Sequence, residues 1–332
     1  MSQATSYRVA LIGGGIIAKN HLDAIQVHPE LQAVAIADID RSKAEVWAEA
    51  YDLQAFTNYQ EMIETERPDI AVIALPHFLH KECAVWCAGK GCHILLEKPM
   101  ALTLEQCNEI LAAATEAKVT LLVGHTQHYW PANLQAKKLI ESGRLGPLIA
   151  IQDTRHLPYF SEERPRWFLE KAKSGGGILM NLGAHSIDKI QFLTSSRVDR
   201  ISASMTKYGS IGDVEGSSVL FLTTSTGVAA TIVQSGYLGK PLDLTELIFT
   251  GGRARLISSA GLWVSEGQEF EIESLDALED PFIRMYQDLV QEIEEKKPPG
   301  SSGMYARSVI AAIEAAYLSH DEGAERKIDP FK

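Results

Sequence analysis

The sequence predicts an α/β protein in two parts, a doubly wound parallel sheet followed by an α/β domain with an open, largely antiparallel sheet. Three observations carry this prediction. Apolar runs of strand length alternate with amphipathic segments up to residue 124. A glycine turn joins the first run to the first helical segment. From residue 125 onward the pattern shifts to β-type runs separated by turn residues. The expected domains are therefore 1–124 and 125–332, with the C-terminal helix able to pack back on the first.

The first strands are "YRVALI" (7–12), "AVAIAD" (33–38), "DIAVIAL" (69–75), "CHILLE" (92–97) and "VTLLVG" (119–124). They are nearly continuous in apolar residues, as strands covered on both faces must be. Between them "AKNHLDAIQVH", "RSKAEVWAEAY", "YQEMIETE", "LHKECAVWCAGKG" and "TLEQCNEILAAATEAK" carry helical periodicity, and Gly89 and Gly91 supply stop signals. In the second part, a helix over "PANLQAKKLIESGRLG" precedes the strand "PLIAIQDTRH". A helical stretch at 175–195 follows. The β-type runs are "RISASMTKYG", "SSVLFLTTS", "GVAATIVQSGY", "LTELIFTG", "ARLISSAG" and "LWVSEGQEFEIES". Helix returns at 281–296, breaks at "KKPPGSSG" and resumes at "MYARSVIAAIEAAYLSH".

Composition narrows the function. The chain has 332 residues, 45% of them hydrophobic, and a formal net charge of -12. No basic run offsets that charge, so nucleic acid and anionic membrane are poor partners. No apolar stretch reaches spanning length and the first residues lack a signal-peptide pattern, which points to the cytoplasm. Cys83, Cys87, Cys92 and Cys107 contain no Cys-x-x-Cys pair and read as thiols in a reducing compartment, with no metal site.

Gly13-x-Gly15-x-x-Ala18 lies between strand and helix, with Asp38 closing the second strand twenty residues after Ala18. Each position has a physical task in dinucleotide binding. Gly13 turns the chain, Gly15 lets backbone approach a pyrophosphate, and Ala18 allows close helix–strand packing. Ile16 and Ile17 complete the loop, and the helix N-terminus faces the phosphate charge. A carboxylate at Asp38 accepts from a ribose and repels a 2′-phosphate, favouring NAD over NADP. Arg41 could stack on adenine or meet that phosphate, which keeps NADP possible. Ligands of such sheets lie beyond the carboxyl ends of the strands. "ALPHFLH" and "LLEKPM" close successive strands there, so Pro76, His77, His80, Glu97, Lys98 and Pro99 are expected on the nicotinamide side. Lys98 could polarise a carbonyl or stabilise an alkoxide, and Pro99 restricts its backbone in either cis or trans form.

With these residues in place the chain resembles the glucose–fructose oxidoreductase/myo-inositol dehydrogenase (Gfo/Idh/MocA) family. The resemblance runs along nearly the whole sequence: the Gly13/Gly15/Ala18 turn, "EKP" at 97–99, "GH…Y.P…K.LIESGRLGP" at 124–147, "GGGILMNLGAHSID" at 175–188 and "IEAAYLSHDEG". It implies a Rossmann domain followed by an α/β domain whose open sheet supports substrate on one face and subunit contacts on the other. It further implies a nicotinamide-dependent enzyme acting on a sugar, polyol or cyclitol, assembled as a homodimer or homotetramer. By matching motif, Lys98 and His185 are its catalytic residues, without a metal. The family's usual aspartate is replaced by Asn181.

Asn181, His185 and Asp188 are spaced four and three apart, which places them on one face of an α-helix. An Asn beside the imidazole orients it but brings no charge to hold the imidazolium. The other candidate substrate residues are His125 and His128 in "GHTQHYW", Arg155, His156 and Tyr159 in "DTRHLPYF", and Arg166 and Trp167 in "RPRWF". Two rival functions share the scaffold. A cofactor-binding sensor without turnover is favoured by Asn181. A reductase of a non-sugar substrate such as a tetrapyrrole would need more apolar or basic walls.

Overall fold

The computed structural model describes residues 6–208, 211–296 and 301–329, the side chain of Ser301 excepted. The end of the "RISASMTKYG" run and residues 297–300 of the "KKPPGSSG" break lie outside the described residues. The chain divides into two compact units. One runs to Thr126 and regains Glu279–Arg307; the other comprises Gln127–Leu278 and the chain from Ser308 onward.

The first unit contains β1 (Tyr7–Ile12), α1 (Ala18–Val27), β2 (Leu31–Ala37), α2 (Arg41–Tyr51), β3 (Gln54–Phe56), α3 (Tyr59–Glu66), β4 (Ile70–Ile73), α4 (His80–Gly89), β5 (His93–Leu96), α5 (Leu104–Ala117) and β6 (Leu121–Val123). The strands form one sheet in the order β3-β2-β1-β4-β5-β6, with every pairing parallel. Ile70–Ile73 are fully buried, so the continuous apolar run follows from cover on both faces. β3 is too short, at three residues, for a periodicity to show in the sequence. The polar residues ahead of the helices are real caps. Asp40 accepts from Ser42 N–H, Asn58 from Gln60 and Glu61 N–H, and Thr103 from Gln106 N–H. α4 ends at Gly89, and Gly91 just beyond it takes φ 82°. α2, α3 and α5 instead end on Asp52, Arg67 and Lys118 in the left-handed region, where no glycine signals the stop.

The second unit opens with α6 (Pro131–Ser142), β7 (Leu148–His156) and the short α7 (Lys171–Ser174). After α8 (Ala184–Thr194) come β8 (Val198–Thr206), β9 (Ser217–Thr224), β10 (Ala229–Ser235), β11 (Leu242–Phe249), β12 (Arg253–Ile257), β13 (Gly261–Ser265) and β14 (Glu271–Ile272). α9 (Pro281–Glu294) belongs to the first unit, capped by Asp280 through Phe282 N–H. The unit boundary then falls within α10 (Ser301–Glu322), and β15 (Arg326–Lys327) is the last element of the described residues. The second sheet has nine strands in the order β14-β13-β12-β11-β7-β10-β9-β8-β15. It is antiparallel except between β7 and β10. Its inner face is strongly buried by alternation, as at Leu220, Leu222 and Ile232, while Val219, Phe221 and Val233 on the other face stay exposed.

α8 is buried on almost every side, including Lys189. The ammonium there is held by Asp153, Asp243 and Thr245 at 3.3, 3.0 and 3.0 Å. Burial raises the Asp153 carboxyl, but the charges of Lys189 and Arg155 and hydrogen bonds from Ser186 and Thr245 more than offset this and hold it low.

Candidate active site

The glycine turn of the first unit is shaped by close approach. Gly13 takes φ 108°, and a Cβ there would stand 2.3 Å from Ala74 O at the end of β4. Around Gly15 a Cβ would meet nothing within 4 Å, so the backbone opens onto free space where a ligand can reach it. Ile16 lies almost fully exposed on this loop, Ile17 directly precedes α1, and Ala18 is completely buried. Asp38 accepts from Gly14 N–H at 2.8 Å and from Asp40 N–H at 2.9 Å. Trp47 donates to Gly14 O at 3.0 Å. The carboxylate is thus held rigidly at the mouth of the turn, with lone pairs left for a diol. Arg41 is exposed and paired with Glu45 at 2.7 Å. These residues fit a dinucleotide: an open backbone approach at Gly15 beside an oriented carboxylate.

Beyond the strand ends, Pro76 leads into a 3-10 turn over His77–Leu79, and both His77 and His80 are buried. His80 bridges two carbonyls, Leu75 O at 2.8 Å and Pro99 O at 2.9 Å. Burial dominates its ionisation and pushes the imidazole below the usual histidine range. Lys98 lies two residues past β5, is partly exposed and is joined to Pro99 by a cis bond. Its neighbour Glu97 accepts from Lys98 N–H at 3.2 Å and meets His21 Nε2 at 3.1 Å. His21, completely buried, reaches Tyr286 Oη at 2.9 Å through Nδ1. Burial raises the Glu97 carboxyl, yet the His21 hydrogen bond and the charges of His21 and Lys98 prevail and hold it below the usual range. The residue before Lys98 is therefore pinned by a polar chain linking β5 to α1 and α9. His125 is buried, with its ring edge-on to Tyr305 at 5.7 Å.

In the second unit, the three glycines before α8 have separate causes. Gly175 takes φ 83° and ends α7. At Gly176 a Cβ would collide with the Tyr317 hydroxyl, and at Gly177 it would lie 2.1 Å from Glu215 O. The Glu215 carboxylate accepts from Gly177 and Leu179 N–H and from Tyr317 Oη–H, all at 2.8–2.9 Å. It caps a helix start that has no capping side chain of its own.

Leu179–Gly183 forms a turn of π-helix before α8. This corrects the spacing argument, because four residues in a wider turn do not stack as they would in an α-helix. The buried Asn181 hydrogen-bonds the Tyr159 hydroxyl, which also contacts Phe168 O at 3.3 Å. Burial pushes the Tyr159 phenol up to about 12. His185 is half-buried at the first turn of α8. Asp188, fully buried, pairs with His128 Nε2 at 2.7 Å, and the His128 ring stacks on Phe192 at 4.5 Å. Arg155 is drawn to Asp243 at 2.7 Å, into the buried network of Lys189. His156, partly buried, closes the same strand. Trp167 stacks on Phe168 at 3.7 Å, and Arg166 is exposed.

The structure thus brings together Asn181 with Tyr159, and His128 with Asp188. Arg155 and Trp167 are instead tied to other residues. Sequence reasoning missed His21, Tyr286, Glu215 and Tyr317. His21 and Tyr286 stand on the apolar faces of their helices, where a polar residue is the available signal. Glu215, inside "DVEGSS", reads as an ordinary turn acid. Among the described residues no group of His, Cys, Asp and Glu is arranged to hold a metal, and no helix is long and apolar enough to cross a membrane.

The fold and glycine-turn geometry define a dinucleotide-binding unit joined to a second α/β unit. Residues 7–125 match the family model described as the NAD-binding Rossmann fold of the Gfo/Idh/MocA oxidoreductases, and residues 133–255 match that family's C-terminal domain. The chain belongs to the Gfo/Idh/MocA oxidoreductase family. It is 30% identical to 1-carboxy-3-chloro-3,4-dihydroxycyclohexa-1,5-diene dehydrogenase of Comamonas testosteroni, over 69% of this chain and 58% of that protein. With the rhizopine catabolism protein MocA of Rhizobium meliloti it shares 25% identity over 96% of both. Matches to the first curated relatives span 53–66% of their length. Among solved structures, the aldose-aldose oxidoreductase of Caulobacter crescentus superposes with a TM-score of 0.89, at 22% identity, over 97% of this chain and all of the other. At that identity the likeness concerns the fold.

Proposed function

We propose that the chain is an NAD-dependent oxidoreductase, with NADP a possible alternative, interconverting a hydroxyl and a carbonyl on a sugar, polyol or cyclitol. The observation that supports this reading is the position of Lys98, two residues past β5 at the carboxyl end of the parallel sheet, the side on which such sheets take their ligands. Bound nicotinamide supplies the hydride acceptor or donor at this end. Gly13, Gly15, Ile16, Ile17 and Ala18 form the phosphate loop, and Asp38 receives the ribose. The ion pair of Arg41 with Glu45 leaves the carboxylate of Asp38 to set the preference for NAD. Pro76, His77, His80 and Glu97 line or support the nicotinamide end.

In the oxidation direction His185 takes the hydroxyl proton at an imidazole nitrogen as the carbon–hydrogen bond gives up its electron pair. The Lys98 ammonium stabilises the alkoxide character that develops. Asn181, tethered to Tyr159, orients groups around His185. His125, His128, Arg155, His156, Tyr159 and Trp167 are assigned to the substrate side as lining or supporting residues.

The exposed Val219, Phe221 and Val233 support a sheet face that is covered by a second copy in a homodimer or homotetramer. Cys83, Cys87, Cys92 and Cys107 are buried as thiols, not joined in disulfides, which supports a cytoplasmic, reducing setting. A sensor that binds NAD without turnover is the second reading, favoured by Asn181 standing where the family carries aspartate.

The deciding experiment assays a panel of sugars and cyclitols with NAD and NADP at the reduced-nicotinamide absorbance. On the best substrate, Lys98→Ala should lower kcat by about a hundredfold or more, as expected when one electrostatic stabiliser is lost, while NAD still binds. Near wild-type turnover in that variant would remove Lys98 from the mechanism. NAD binding with no turnover on any member of the panel would favour the sensor.

A further inference from the structure

We propose that Arg164 forms an anion subsite in the second unit, binding a carboxylate or phosphate group carried by the sugar. This rests on the sugar oxidoreductase reading and narrows its substrate class to acidic sugars.

Arg164 is half-buried, with its guanidinium carbon 4.1 Å from the centre of the Tyr159 ring and 4.9 Å from that of Phe168. Its backbone N–H closes a turn onto Ser161 O at 3.2 Å, which fixes the approach of the chain. Among the described residues its Nε is buried without a hydrogen-bond acceptor, and the guanidinium makes no ion pair. Glu162 and Glu163 adjoin it in sequence, yet both are exposed and neither bonds to it. The two rings attract the cation but carry no negative charge to balance it.

The other buried cations of this unit are treated differently. Lys189 is neutralised by Asp153 and Asp243, and Arg155 is paired with Asp243. A partly desolvated guanidinium without a counter-charge is costly, and among the described residues no carboxylate pairs with it. Burial accordingly pushes its ionisation below the usual arginine range, with only Tyr159 opposing.

The position is connected to the proposed chemistry within the same unit. Arg164 lies on Tyr159, Tyr159 is hydrogen-bonded by Asn181, and Asn181 precedes His185 by four residues. An anion entering there gains a planar fork suited to two parallel hydrogen bonds from either a carboxylate or a phosphate. A neutral sugar would leave the guanidinium in its present state.

The test is calorimetric titration of the NAD-saturated protein with D-glucuronate, D-galacturonate, D-gluconate and glucose 6-phosphate, each compared with its neutral parent. At least one acid should bind about tenfold or more tighter than the parent, the gain expected of a charge-assisted pair. A gain confined to the carboxylates names that group; a gain confined to glucose 6-phosphate names phosphate. Arg164→Gln should abolish the gain, and Arg164→Lys should reduce it at least about threefold by removing the fork. No gain for any acid in the wild type, or a gain that survives Arg164→Gln, overturns the proposal. Should the Gln variant not fold, an unchanged gain in the Lys variant overturns it as well. Turnover separates the two readings. Acid binding through Arg164 with no turnover of any acid or panel member leaves this subsite standing and removes the dehydrogenase. Turnover of neutral sugars with no gain from acids does the reverse.

Discussion

Replacing Glu215 by alanine should cost the second unit about 3–5 kcal/mol. The carboxylate accepts from two backbone N–H groups, of Gly177 and Leu179, and from the Tyr317 hydroxyl. Each buried donor left without an acceptor costs roughly 1–3 kcal/mol. Loss of an anion at a helix N-terminus adds roughly 0.3–1 kcal/mol. Water entering the vacated space and rotation of the Tyr317 hydroxyl return part of this sum, which sets the range. Glu215→Gln keeps one acceptor oxygen but turns an amide toward the donors, and should cost roughly 1–3 kcal/mol. At roughly 2–4 °C per kcal/mol for a unit of this size, the alanine variant should melt about 6–20 °C lower. Urea unfolding followed by circular dichroism measures the loss. Hydrogen exchange at Gly177 and Leu179 measures the cap itself. The helix carrying Asn181 and His185 begins here, so turnover should fall with the protection. A loss under about 1 kcal/mol, with protection at both amides unchanged, would refute the cap.

Three further outcomes follow from the geometry. Asp38→Ser should weaken NAD binding and improve NADP, read by cofactor titration; a wild type that prefers NADP would contradict the role given to Asp38. Asn181→Asp puts a carboxylate beside Tyr159, four residues ahead of His185; its charge favours the imidazolium and should move the oxidation pH–rate profile upward, and an unchanged profile would confine the role of position 181 to Tyr159. Because the folded protein holds Glu97 below its ordinary value of 4.5, its contribution to stability is full above that pH and is lost as pH falls through the lower folded value. Wild type should therefore lose stability against Glu97→Gln on acidification below about pH 4.5, and parallel acid-denaturation curves would show that Glu97 gains nothing from its partners.

The sequence by itself determined the two sheets, most of their strands and the dinucleotide turn. Those features depend on local periodicity and on glycines whose neighbours in sequence supply the context. It also marked "EKP", by its place at the carboxyl end of a parallel strand, and "NLGAHSID", by the spacing of its polar residues, as places of interest. It could not show β3, where three residues carry no period, nor the helix ends at Asp52, Arg67 and Lys118, where exposed non-glycine residues turn left-handed as backbone N–H groups bond back to the last helical carbonyls. The tertiary structure decided the partners. His21 meets Glu97 across 76 residues, Glu215 caps a helix 38 residues behind it, and Arg155 turns to Asp243 instead of standing open. It also replaced the α-helical stacking of Asn181 over His185 with a π-turn and a bond to Tyr159. A buried polar group is satisfied by whichever donor or acceptor the fold brings within about 3 Å, and sequence spacing carries no record of that distance.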